Sequence, residues 1–107
     1  MLKGKPEPLV KLYRAMEKDL KAWRGVEIVS KKRYALLRTT RVFADLVFMK
    51  DALRLAILLD RTVKKPFFFK IQRMSAHRVG HVAKLRSPAE LRAVMPYLKE
   101  AYRHAQR

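Results

Sequence analysis

Cysteine is absent from the 107 residues, and glycine occurs only three times. Without a thiol there can be no disulfide framework, no thiolate zinc site and no cysteine nucleophile. Three glycines do not make a glycine-rich phosphate loop. Acids are scarce as well, with 9 Asp and Glu against 26 Lys and Arg, for a formal net charge of +17. An acid-base or nucleophilic site needs at least two convergent titratable groups. Glu7, Glu17, Glu90 and Glu100 all fall in helical patterns that already explain them. The expectation is a protein that is not an enzyme and carries no cofactor.

Long uncharged runs are missing too. The most apolar stretch, Val42 to Leu59, has fourteen apolar residues in eighteen but contains Asp45, Lys50, Asp51 and Arg54, whereas a membrane span needs about twenty nearly uncharged residues. The start, MLKGKPEPLV, has no apolar core of signal-peptide length and meets Pro6 and Pro8 at once. These features predict a cytoplasmic protein with no membrane association.

Half of the chain is apolar, enough for one core in one domain. A helical projection of Val42 to Leu59 yields no clean polar face, because Asp45 lands among apolar residues. Folding the stretch at Lys50 and Asp51, with paired positions summing to 101, resolves it. One face then holds Val42, Ala44, Leu46 and Phe48 opposite Leu59, Ile57, Leu55 and Leu53. The other holds Phe43, Val47, Met49, Ala52, Ala56 and Leu58 around Asp45 and Arg54, which sit diagonally within reach of an ion pair. This is a β-hairpin.

Leu9, Leu12, Tyr13, Met16, Leu20 and Trp23 follow helical spacing ahead of Gly25, a residue suited to ending a helix. RYALLR, Arg33 to Arg38, reads as a strand leading into the hairpin. Within Arg61 to Gly80 the alternation of Phe67, Phe69 and Ile71 with Phe68, Lys70 and Gln72 predicts another, with Pro66 at its start and at least two of the three phenylalanines in the core. HVAKLR, His81 to Arg86, follows as a short strand. Ser87 to Glu90, SPAE, has the form of a capping box opening a terminal helix, which Pro96 is expected to kink or restart. The predicted architecture is α+β: a mostly antiparallel sheet of three to five strands with N-terminal and C-terminal helices packed on one face. Residues 1–8 form an extension and 9–107 the domain.

LYRAMEKDLKAWRGVEIVSKKRYALLR, the Phe43-Ala44 pair, HVAKLRSPAEL and the closing YLKEAYRHA are together similar to a small bacterial family known as domain of unknown function 5655. The similarity runs from Leu12 to about Ala105 and departs most between Arg61 and Gly80. It implies an α+β domain, often the C-terminal part of longer proteins, some of them beside nuclease-like modules, and puts His81 in a strand. It supplies no activity and no catalytic residues.

HRVGH sets His77 and His81 four apart, the spacing of paired zinc ligands on a helix. Arg78 stands where a general-base glutamate would, Gly80 weakens a helix, and no nearby acid completes a ligand set. No metal is expected.

The positive charge is uneven. Residues 1–41 carry 12 cations and 4 acids, 42–60 carry 2 and 3, 61–86 carry 8 and none, and 87–107 carry 4 and 2. A few lysines make an ordinary solvated face, but twenty-six residues with eight cations and no acid repel themselves, and a polyanionic partner relieves that cost. The expected function is non-specific nucleic-acid binding through phosphates by Lys31, Lys32, Arg33, Lys64, Lys65, Lys70, Arg73 and Arg78. The alternative is a homodimerising interaction module using the second hairpin face, with Phe43, Val47, Met49 and Leu58 as its contacts.

Overall fold

The computed structural model describes residues 3–106. Helix α1 (Glu7–Lys21) leads through strands β1 (Glu27–Ser30), β2 (Tyr34–Arg38), β3 (Val42–Phe48), β4 (Leu53–Leu59), β5 (Phe68–Ser75) and β6 (Arg78–Leu85) into α2 (Pro88–Ala105). The architecture is α+β, but the sheet has six strands rather than three to five, in the order β1-β2-β3-β4-β6-β5 with every pair antiparallel. Strand β1 was not anticipated, because its four residues, EIVS, show no alternation of apolar and polar side chains. The α1 helix starts at Glu7, inside the stretch expected to be an extension.

Both helices lie on one face. Tyr13 of α1 packs on Phe48 with ring centroids 5.7 Å apart, and Tyr102 of α2 packs edge-on to Phe43 and against Trp23. Leu9, Leu12, Met16 and Leu20 meet Val94, Leu98 and Ala101 over the buried side of the sheet in a single core. The two helices end differently. At α1 the chain turns out through Gly25, whose φ of 78° lies in the left-handed region that suits a residue without a β-carbon. At α2 the last carbonyls are held by the β2–β3 turn: Thr40 Oγ1 donates to Ala105 O at 2.8 Å and Arg41 Nη2 to His104 O at 2.8 Å.

The start of α2 is the expected serine cap, Ser87 Oγ accepting from Glu90 N at 3.2 Å. Glu90 reaches back one residue further than a capping box requires, to Arg86 N at 2.7 Å. The helix passes through Pro96 as one continuous element and does not restart there; Pro96 is exposed.

The β3–β4 register has paired positions summing to 101, as in Ala44 opposite Ile57 and Phe48 opposite Leu53. The inward alternation fails at one place. Between Leu37 and Arg38 the β2–β3 register shifts, with Leu37 opposite Ala44 but Arg38 opposite Val42, so Phe43 is an extra residue. Such a bulge reverses the facing of everything beyond it. Phe43 therefore turns inward, at 1% exposure, and Val42 is exposed, at 36%. Both expectations for these two residues are corrected.

Strand β5 carries two further register shifts, at Phe68/Lys70 and Arg73/Ser75. Of the three consecutive phenylalanines around its start, Phe68 is buried, Phe67, just ahead of the strand, packs against the core, and Phe69 is 54% exposed. Because β6 lies between β4 and β5, the connection from Asp60 to Phe67 must cross it, and buried Val63 anchors that crossing.

Candidate nucleic-acid interface

With both helices on one side, the other side of the sheet is uncovered by any element of the described residues. Its middle is a shallow concavity of ≈ 340 Å³ lined by Asp45, Arg54, Ala56, Lys70, Arg78 and Val82, among others. The pairings order this face into rows running across the strands. One row reads Leu36, Asp45, Ala56, Val82, Lys70. The next reads Tyr34, Val47, Arg54, Lys84, and the ring of Phe69 continues it, with Lys84 Nζ 5.2 Å from the ring centroid.

The eight cations expected to act together are all exposed, but they occupy four places. Lys31, Lys32 and Arg33 form the β1–β2 loop at one edge of the sheet. Lys64 and Lys65 lie at the same end of the strands but beside the opposite edge, where Lys65 O accepts from Phe68 N. Lys70 and Arg78 belong to the uncovered face and line its concavity. Arg73 pairs with buried Val79, on the helix-bearing side, and its guanidinium leans on Ala76 O at 3.4 Å.

Two residues join Lys70 and Arg78 that the sequence argument did not select as binding residues. Arg54 and Lys84 stand directly opposite each other on adjacent strands of this face. Lys84 sits two positions from Val82 in an alternating strand, so its facing could be read locally. Its partner could not, because β4 and β6 are separated by the whole of β5.

Electrostatically the face is one-sided. None of Arg54, Lys70, Arg78 and Lys84 forms an ion pair among the described residues; the pairs fall on α1, on α2 and at the β1 edge. Among the described residues, Asp45 is the one carboxylate that lines the concavity. Partial burial pushes its pKa above the ordinary carboxylate value, and the Arg54 charge opposes that shift only in part.

Of the residues expected to drive self-association, Val47 and Leu58 are half-buried on the uncovered face, and Met49 is exposed at the β3–β4 turn. Phe43 is not; the bulge has placed it beneath Tyr102.

The two histidines of HRVGH do not converge. His77 lies in the exposed β5–β6 turn, where its carbonyl is 3.2 Å from His104 Nε2. His81 is wholly buried in β6 on the helix-bearing side. Its Nε2 accepts from Val63 N at 2.9 Å and its Nδ1 lies 3.0 Å from Val79 O, an arrangement that makes Nδ1 the protonated nitrogen. Both ring nitrogens are thus occupied by backbone groups.

The sequence of the chain matches a protein-family description over residues 1–105, namely Domain of unknown function (DUF5655). The chain belongs to that family. No curated protein and no solved structure gives a significant match. Membership of DUF5655 assigns no activity. No helix among the described residues is long and apolar enough to cross a membrane.

Proposed function

We propose that this DUF5655 domain binds nucleic acid without sequence preference, and that the uncovered sheet face is its binding surface. The observation that carries this reading is the placing of Arg54, Lys70 and Arg78 around one concavity, with Lys84 beside it opposite Arg54, and with no ion pair to any of the four among the described residues. Charges held this close at a low-dielectric surface repel one another and draw in a polyanion. Phosphate contacts supply affinity and orientation while carrying no sequence information.

Self-association through the same face is the second reading, and its support is the half-buried apolar floor of Leu36, Val47 and Leu58. Charge counts against it. Two copies meeting face to face would set four cations against four, with one Asp45 from each copy to offset them.

Fluorescence anisotropy with labelled oligonucleotides across a salt series tests the proposal. Four phosphate contacts predict a log-log slope of about −3 to −4, and a fall in affinity of roughly 50- to 150-fold between about 50 and 200 mM salt. The triple variant Lys70→Glu, Arg78→Glu, Lys84→Glu should flatten the slope by about 2 to 3. No binding at the lowest salt, or a triple variant that binds like the parent, overturns the proposal. A sedimentation mass that rises with concentration and changes in the same variant would favour self-association.

A further inference from the structure

Phe67, Phe68 and Phe69 are consecutive, yet the core uses only two of them. Phe67 and Phe68 meet edge to face with ring centroids 4.7 Å apart and both meet Tyr97, while Phe68 also meets the imidazole of His81. Phe69 has no such partner. The register shift at Phe68/Lys70 leaves it as the extra residue of β5, and its ring lies at the surface against the ammonium group of Lys84. A phenylalanine more than half exposed leaves much of its ring open for something to cover it.

Its position in the row suggests what does. Tyr34, the other exposed ring of this face at 40% exposure, stands at the far end of the same row, with Arg54 and Lys84 between. Tyr34 and Phe69 are four strand spacings apart, about 19 Å. Two rings at the ends of one row, with Val47 and then two cations between them, match a chain that carries both flat bases and phosphates. Duplex nucleic acid does not offer this, since its bases are stacked on each other and only its phosphates reach a sheet surface. Unpaired bases can lie on aromatic rings whatever their sequence.

Resting on the functional reading above, we infer that the uncovered face takes single-stranded nucleic acid across its strands, with Phe69 and Tyr34 as stacking rings and Arg54 and Lys84 holding the phosphates between them.

The test compares labelled single-stranded DNA, single-stranded RNA and a matched duplex at one salt concentration, using the parent and Phe69→Ala, Tyr34→Ala and Phe69→Trp. Both positions are exposed, so the variants should melt with the parent. The single strands should bind more tightly than the duplex. Phe69→Ala should weaken single-strand binding about tenfold, leaving the salt slope and the duplex affinity unchanged, and Tyr34→Ala should act in the same direction. Phe69→Trp should keep the affinity and lose indole fluorescence when a strand is added. A parent that binds with the expected salt slope but is indifferent to Phe69→Ala, or that prefers the duplex, overturns the stacking inference alone. A parent that binds no oligonucleotide overturns this inference together with the functional reading.

Discussion

The backbone N–H of Val63 donates to Nε2 of His81 over 2.9 Å, tying the connection that crosses β6 to the strand beneath it. The bond requires the neutral ring, since a protonated Nε2 has no lone pair to offer. Burial pushes the His81 pKa below the ordinary 6.5; its contact with Val79 O and the charge of Glu100 oppose the shift, and Arg61 adds to it. The unfolded chain therefore takes up this proton more readily than the folded one. The stability due to His81 is complete above about pH 6.5 and is lost as pH falls from there through the folded pKa. Melting temperature should decline below about pH 6.5, and His81→Gln, which can accept the same N–H but does not titrate, should reduce that decline. Melts across pH for both proteins provide the check.

The β3–β4 register makes Leu55 and Arg54 neighbours with opposite fates. Leu55→Asp would bury a carboxylate in the core, costing several kcal/mol against a typical total of about 5 to 15, and should prevent folding. Arg54→Ala should fold normally. Circular dichroism of the two variants distinguishes these outcomes.

The bulge ahead of Ala44 predicts a similar contrast one residue apart. Phe43→Ala should cost about 3 to 5 kcal/mol, the usual range for a buried phenylalanine. Val42→Ala, at an exposed position, should stay within about 0.5 kcal/mol. Denaturant titration would return the reverse order if the two side chains faced the other way.

The two groups of cations at the ends of the strands should matter less than those on the uncovered face. Lys31→Glu, Lys32→Glu, Lys64→Glu and Lys65→Glu together should lower oligonucleotide affinity by a smaller factor than the Lys70, Arg78, Lys84 triple, although four charges are reversed rather than three. Anisotropy at one low salt concentration decides it.

How far the fold could be read from the chain depended on the range of each signal. The hairpin register was legible because its evidence, alternation across a short turn, is local, and the same is true of the serine cap of α2. Val42 and Phe43 were misplaced because a bulge lies in the pairing with β2 and leaves the alternation within β3 unmarked. Strand β1 was missed because an edge strand of four half-exposed residues has little pattern to show. The basic residues were counted correctly, but their grouping follows from β6 inserting between β4 and β5, a long-range event. The sheet order sets Lys64 and Lys65 beside the edge opposite Lys31 to Arg33, and the insertion brings Lys84 beside Arg54.

The irregular pairing of β5 also bears on how the molecule behaves in a crowd. An outermost strand with regular spacing displays unmet N–H and C=O groups that a neighbouring chain can copy, which is how sheets grow into aggregates. Here one outer strand has only four residues, and the other is interrupted twice within eight and studded with Lys70 and Arg73. Neither makes a good template. A chain with a broad uncovered sheet can thus remain dispersed while that surface stays available.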